Sequence, residues 1–179
     1  PVLGQRGFLA RGRFSEASDQ PLAALIGALS ALADQLLTLP PEQLEHWRER
    51  LLARLGPLAA VVGELIPGLR LVLGKLPSDE ARTAAEVRNQ VMLACVRLVT
   101  SFARPEHPLV LVFDDMQWAD SATFELLDEL LVEPQDEQPA LLLVLSGRER
   151  ATAPGTPLSS LLVELETRGR PPTRIELGP

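Results

Sequence analysis

Apolar and polar positions along the chain follow two periods, one typical of strands and one typical of helices. Gly7–Phe14 is short, punctuated by glycine and apolar near alternate positions, which predicts a strand. Leu109–Phe113 and Ala140–Leu145 are apolar throughout, as expected for strands buried on both faces of a parallel sheet. Helical patterns separate these segments, so the chain is predicted to form a parallel α/β sheet with helices on both faces.

The helical segments are marked by apolar stripes and by proline or glycine breaks. They are predicted at Pro21–Leu36, at Glu42–Leu55, at Pro57–Leu65, from Ser78 to just before Pro105, after Asp120, and at Pro157–Leu165. The expected buried stripe of the fourth helix consists of Ala84, Val87, Val91, Ala94, Cys95, Leu98 and Phe102. Ile66–Gly74 mixes turn residues with apolar residues, and its pattern does not decide between states. Thr173–Leu177 is predicted to be a last short strand.

Charge and composition narrow the classes of function. The 179 residues suffice for one domain with a sizeable core, and the net charge of −7 argues against a surface for nucleic acid or an anionic membrane. No apolar run reaches the roughly 18 residues of a membrane-spanning helix. The single cysteine, Cys95, excludes an internal disulfide and favours a reducing compartment, the cytoplasm. Its place on an apolar stripe favours a core position over a reactive thiol.

Paired carboxylates follow the apolar strand Leu109–Phe113 and are the main chemical signal in the chain. Asp114 and Asp115 come where a parallel strand brings its carboxyl end to a ligand crevice. In a nucleotide-hydrolysing interpretation, Asp114 would hold Mg²⁺ through its water shell, and Asp115 would orient or deprotonate the attacking water. Arg148 follows the next apolar strand, so its guanidinium would reach the same crevice and sense the γ-phosphate of ATP.

Other interpretations of these residues stay open. The two acids also fit a pair that initiates a turn or a helix at the end of a strand. A structural role explains Asp120 as a helix cap and Trp118 as an anchor for that helix, and it fits these two residues as well as a functional role does. His46 and His107 are both expected to be exposed to solvent. No GxxxxGK[ST] phosphate loop occurs in the chain, which weighs against an autonomous nucleotide-hydrolysing enzyme.

The segment Leu109–Asp120 ends in Asp-Asp-Met-Gln-Trp-Ala-Asp and resembles the Walker B signature of the STAND group of AAA-like ATPases. That signature often reads DDLQWAD, so Met116 is the one departure. The resemblance extends over nearly the whole chain, including Gly7–Phe14, Leu44–Pro67, Pro105–Val110 and Arg174–Leu177. The branch it resembles is an origin-recognition-like AAA module of large bacterial signalling proteins. There the module lies between a serine/threonine kinase domain and GAF and histidine-kinase domains, with related modules in LuxR-type regulators and fused adenylate cyclases.

The resemblance implies a P-loop NTPase-like, three-layer α/β/α fold in which residues 1–179 form a partial ATPase domain with a helical insert at about 40–77. Asp114 matches the magnesium-site acid, Asp115 the second acid, and Arg148 a sensor arginine, here without the aromatic residue that usually precedes it. The family's first strand and phosphate loop would lie upstream of Pro1. ATP and Mg²⁺ are the implied cofactors. Fused kinase or regulator domains and further copies of the module are the implied partners.

The missing first strand leads to a structural prediction. In this fold it lies between the last strand and the strand that ends at Ser146. We therefore expect a three-stranded parallel core from the strands at Gly7, Leu109 and Ala140, with the Thr173 strand detached or collapsed into the gap.

Three functions fit the chain at this stage. The first is a regulatory ATPase switch in a kinase or transcriptional regulator. The second is a degenerate, non-hydrolysing scaffold for protein interaction. The third, a stand-alone Mg²⁺-dependent hydrolase, lacks an accompanying histidine or nucleophile constellation.

Overall fold

The computed structural model of the chain describes residues 7–18, 20–76, 84–131 and 139–178. Its strands are β1 (Phe8–Arg13), β2 (Leu109–Asp114) and β3 (Leu141–Leu145). Its helices are α1 (Ala23–Leu37), α2 (Pro41–Leu55), α3 (Ala59–Leu65), α4 (Pro67–Leu73), α5 (Ala84–Phe102), α6 (Ser121–Leu131) and α7 (Pro157–Thr167). Short 3₁₀ segments cover Gly56–Leu58, Met116–Trp118 and Glu149–Thr152.

The strands form one parallel sheet in the order β1-β2-β3. Phe8 lies opposite Leu109, and Leu109 lies opposite Leu141, so the three carboxyl ends meet at one edge of the sheet. Helices connect the strands because parallel neighbours need crossover connections. The α/β fold with a three-stranded parallel core is confirmed.

The two faces of the sheet differ in burial. One face is packed against helices and carries Phe8, Ala10, Gly12, Leu109, Leu111 and Phe113. At Gly12 the first turn of α1 comes so close that an added Cβ atom would lie 2.2 Å from the carbonyl oxygen of Ala24. On the other face, Leu142 keeps 58% of its surface exposed, and Leu9 and Val144 are also exposed. The described residues therefore leave this second face open at these positions.

An aromatic cluster fastens helices α2 and α5 to the start of β1. The ring of Phe8 packs edge-on against the rings of Trp47 and Phe102, with 5.1 and 5.0 Å between ring centroids. Trp47 stacks on Phe102 with a centroid distance of 5.1 Å. Phe102 is fully buried. Three of the seven Phe and Trp residues of the chain therefore pack together where two helices and the sheet meet.

Three helical predictions needed correction or completion. Helix α1 begins at Ala23 instead of Pro21, because Leu22 adopts a left-handed backbone with φ 60°. The undecided segment Ile66–Gly74 contains helix α4, and α2 to α4 occupy most of the proposed insert at 40–77, whose standing as an insert stays a prediction. The predicted cap Ser78 lies outside the described residues. Val87 is exposed and not part of the buried stripe, because the first described turns of α5 extend past the core.

The predicted strand Thr173–Leu177 is wrong, whereas its predicted detachment is confirmed. Residues 171–178 have no regular secondary structure, and Ile175 and Leu177 point into solvent. Residues 171–178 pair with none of the three strands of the sheet, and a strand pattern of five residues is not stable without a paired neighbour.

The core assignment of Cys95 is supported by its environment. The side chain is buried, and burial raises the pKa of its thiol to about 12. A thiol with such a pKa is protonated and unreactive at neutral pH. Among the described helices, none has the length and apolar character needed to cross a membrane.

His107 is buried, contrary to the prediction of an exposed side chain. Its Nδ1 lies 2.8 Å from the carbonyl oxygen of Phe102, and its Nε2 lies 2.6 Å from Nη1 of Arg50. Because a guanidinium only donates, Nε2 must accept, so Nδ1 carries the proton and donates to Phe102. Burial lowers the pKa of His107 most, and the positive charge of Arg50 lowers it further; the hydrogen bond to the Phe102 carbonyl and the charge of Glu106 oppose this without reversing it.

This arrangement predicts a loss of stability on acidification. The folded state holds His107 neutral, so its contribution is complete above the unfolded pKa of about 6.5 and is lost as the pH falls through the lowered folded value. We expect the free energy of unfolding in urea to fall as the pH is lowered below about 6.5, by at most about 1.4 kcal/mol per pH unit. His107→Gln should flatten this slope, and His46→Gln, at an exposed position, should not. An unchanged slope in His107→Gln would contradict the assignment.

Candidate nucleotide-site half at the carboxyl edge of the sheet

Asp114 and Asp115 lie at the carboxyl end of β2, where the backbone leaves the sheet abruptly. Asp114 is the last residue of the strand, and Asp115 has a left-handed backbone with φ 61° and ψ 43°. Aspartate tolerates this conformation better than most residues, because its short side chain bonds locally. The turn leads directly into the 3₁₀ segment Met116–Trp118 and directs the two carboxylates to different neighbours.

Asp114 is held from both sides by the neighbouring strands. Ser146, just after β3, donates its Oγ hydrogen to Oδ1 at 2.5 Å. Arg11, on β1, directs both Nε and Nη2 to Oδ2. The hydrogen bond from Ser146 and then that from Arg11 hold the pKa of Asp114 below its usual range, so the group is ionised at neutral pH.

Asp115 has its own arginine and an amide. Nε of Arg13 donates to Oδ2 at 2.7 Å, and Nε2 of Gln117 donates to Oδ1 at 2.9 Å. These bonds, Arg13 first, lower the pKa of Asp115, and the nearby charge of Arg148 adds to the effect. Each oxygen of Asp115 keeps a second lone pair, so the carboxylate can still accept a hydrogen bond from a water molecule.

Arg148 lies at the same edge, beyond the end of β3. Its backbone N–H donates to Oε1 of Gln117 at 3.1 Å, so Gln117 joins the Asp115 turn to the β3 end. Its side chain is exposed. Gly147 allows this approach, because an added Cβ there would lie 3.3 Å from the same Oε1. The structure thus brings together all three predicted site residues, Asp114, Asp115 and Arg148, at one edge of the sheet.

Asp120 and Trp118 have structural roles in the described residues. Asp120 accepts from the N–H of Thr123 at 2.9 Å and so caps α6. Its Oδ2 also accepts from the N–H of Leu22 at 3.2 Å, which ties the start of α1 to the same turn. The guanidinium carbon of Arg150 lies over the ring of Trp118, 5.2 Å from the ring centroid. These contacts favour the structural interpretation of both residues.

The oxygen donors at this edge fit Mg²⁺. Magnesium prefers carboxylate and other hard oxygen ligands, and it commonly uses one or two carboxylates together with water and substrate phosphate. Asp114 supplies a carboxylate, and Asp115 and the Ser146 hydroxyl stand beside it. Within the described ranges, no group of three or more His, Cys, Asp or Glu side chains is placed to hold a metal by itself. Any Mg²⁺ held here would therefore need further ligands from water and phosphate.

Sequence reasoning missed three of the side chains that contact the two acids: Arg11, Arg13 and Gln117. The alternation of residues on β1 could have indicated the two arginines. Alternation on β1 buries Phe8, Ala10 and Gly12 and so turns Arg11 and Arg13 to the opposite face. Asp114 lies on that face of β2, directly opposite Arg13 in the register, but the register joins residues about a hundred positions apart.

Comparisons with known proteins place this geometry in a wider context. A family model described as an AAA ATPase domain matches residues 2–145. The hybrid signal transduction histidine kinase G of Dictyostelium discoideum is 37% identical over 122 residues, which are 68% of this chain and 4% of that protein. The chain thus spans only a small part of that relative. No solved structure matches the chain significantly.

Proposed function

Because the chain belongs to the AAA ATPase domain family, we propose that it is the acidic half of an ATP-dependent switch within a multidomain signalling protein. The observation that carries the proposal is the meeting of Asp114, Asp115 and Arg148 at the carboxyl edge of a parallel sheet. Ligands of open α/β sheets bind at this edge. The phosphate loop would be supplied by a segment upstream of Pro1, since none occurs in the sequence.

Each residue has a distinct role in this proposal. The carboxylate of Asp114 binds Mg²⁺, through water or directly, and Ser146 fixes one of its oxygens. Asp115 accepts a hydrogen bond or a proton from the attacking water at a lone pair that Arg13 and Gln117 leave free. Arg148, exposed and cationic beside Asp115, binds a phosphate oxygen. Mg²⁺ supplies charge neutralisation at the phosphates when bound.

The proposed setting is a signalling polypeptide in the cytoplasm, in which the module gates fused kinase or regulator domains. The printed name of the Dictyostelium relative is that of a histidine kinase, and the matched segment is a small part of it. A STAND-type module of a bacterial kinase or LuxR-type regulator, able to self-associate, is the more specific form of the proposal. The Walker B-like end of β2 supports it.

Nucleotide binding provides the test. We expect the 179-residue chain to bind no Mg·ATP in calorimetry, whereas the full-length protein that contains it binds Mg·ATP. The reason is that phosphate-cradling backbone N–H groups and their lysine contribute most of the triphosphate affinity, and they have no counterpart here. Asp114→Asn in the full-length protein should weaken the magnesium-dependent part of binding, and Asp34→Asn, an exposed change on α1, should not.

The opposite results would have clear meanings. Tight Mg·ATP binding by the 179-residue chain would show that the phosphates are held without an upstream loop. A full-length protein that binds no ATP would favour the alternative function, a degenerate scaffold for protein interaction. Unchanged binding in Asp114→Asn would remove Asp114 from the magnesium site.

A further inference from the structure

Arg11 donates to Oδ2 of Asp114, the residue proposed above to hold the metal ion. We propose that Arg11 excludes bare divalent cations from Asp114 and so makes metal binding at this site conditional on a triphosphate. The inference rests on the proposed function, in which Asp114 is the magnesium acid. It adds a specificity-determining residue that the motif around Asp114 does not contain.

Both oxygens of Asp114 accept hydrogen bonds. Oδ2 accepts from both Nε and Nη2 of Arg11, and Oδ1 accepts from the hydroxyl of Ser146. A dication needs a lone pair of one of these oxygens, and it is repelled by a guanidinium that contacts the same carboxylate. Direct coordination of a metal by Asp114 is therefore disfavoured for as long as Arg11 stays paired with it. A hydroxyl such as that of Ser146 carries no charge and poses no such barrier.

Moving the Arg11 side chain away from Asp114 disturbs the fold little. Its side chain is 71% exposed, compared with 15% for Asp114, and it lies on the open face of the sheet. Exposed ion pairs of this kind contribute little to stability. The guanidinium can therefore rotate into solvent without disturbing the packed face, which carries Phe8, Ala10 and Gly12.

The balance of charge makes the exclusion selective. A bare dication that displaces Arg11 leaves a guanidinium and a metal close together at one carboxylate. A metal that arrives with a triphosphate brings several negative charges, which offset that repulsion and give the freed guanidinium phosphate oxygens to bind. Arg13 does not duplicate this role, because it pairs with Asp115.

Manganese, as a spectroscopic substitute for magnesium, tests the proposal in the 179-residue chain without nucleotide. Free Mn²⁺ is measured by electron paramagnetic resonance during titration of the unmodified chain and of Arg11→Gln, Arg11→Lys and Arg174→Gln. Arg174→Gln is the matched control, because it makes the same change in net charge at an exposed arginine that pairs with Glu176 and Thr152 and not with Asp114. We expect Arg11→Gln to bind Mn²⁺ roughly tenfold more tightly than the unmodified chain. Arg11→Lys should stay close to the unmodified chain, and Arg174→Gln should change affinity less than about twofold.

A double variant tests whether the additional Mn²⁺ affinity of Arg11→Gln depends on Asp114. Adding Asp114→Asn to Arg11→Gln should return Mn²⁺ affinity to that of the unmodified chain. The proposal is overturned if Arg11→Gln binds no more tightly than Arg174→Gln, or if the gain survives in the double variant. Mg·ATP binding by the full-length protein is measured separately, so a failure of the exclusion and a failure of the proposed ATP site give different results.

Discussion

Asp115→Asn in the full-length protein is expected to lower ATP turnover by about 10²- to 10⁴-fold while Mg·ATP still binds. Asparagine keeps the shape of the side chain and tolerates the left-handed backbone at φ 61°. Its amide cannot take a proton from water, which is the role proposed for Asp115. Steady-state phosphate release and calorimetric nucleotide affinity together measure the two parts of the prediction.

The control for this variant must separate lost chemistry from a disturbed turn. Asp34→Asn changes an exposed carboxylate on α1 and should leave turnover unchanged. Asp115→Ala is less informative, because alanine is strained in the left-handed conformation and would alter the turn that precedes Met116–Trp118. Hydrolysis at the normal rate in Asp115→Asn would remove Asp115 from its proposed role and leave Arg148 and the phosphate loop to account for catalysis.

Gly12→Ala is expected to destabilise the fold by about 3 kcal/mol or more. The added Cβ would lie 2.2 Å from the carbonyl oxygen and 2.8 Å from the carbonyl carbon of Ala24. Both are backbone atoms in the first turn of α1, so relief requires the whole helix to move away from β1. Urea unfolding followed by circular dichroism measures the loss directly.

Gly27→Ala on α1, the helix that Gly12 contacts, provides the matched control. Gly27 lies on the exposed side of α1, and a Cβ there would have no heavy atom within 4 Å among the described residues. Replacing a helical glycine by alanine there should stabilise the protein by about 0.5–1 kcal/mol. Opposite signs for the two glycines would confirm that helix-to-strand contact sets the effect. A neutral result for Gly12→Ala would show that α1 can shift without cost.

The fold was predictable where a local pattern is sufficient. Uninterrupted apolar runs located β2 and β3, and proline breaks located most helix boundaries. The errors arose where the outcome depends on distant partners. Thr173–Leu177 has a strand pattern but pairs with none of the strands among the described residues. His107 looks exposed between Glu106 and Pro108, yet the aromatic cluster with Trp47 buries it.

The candidate site was predictable in its carboxylates and less so in its cations. Asp114 and Asp115 could be predicted because they directly follow an apolar strand, and Arg148 because it follows the next apolar strand. The pairing of Arg11 with Asp114 spans 103 positions along the chain. It depends on the register between β1 and β2 and on the face that alternation assigns to each side chain. Neither the register nor the face of each side chain can be obtained from the local sequence around Arg11 or Asp114.

The outer edge of β3 has a consequence for how the chain behaves in solution. On β1, the opposite edge is occupied in part by the Gln35 amide, which donates to the carbonyl of Leu9, and Arg11 and Arg13 add charge there. Strand β3 is the uncharged run Leu-Leu-Leu-Val-Leu and borders no further strand in the described residues. Such an edge is a template for aggregation. The net charge of −7 opposes encounters between chains, and salt screens this repulsion, so aggregation should increase with ionic strength.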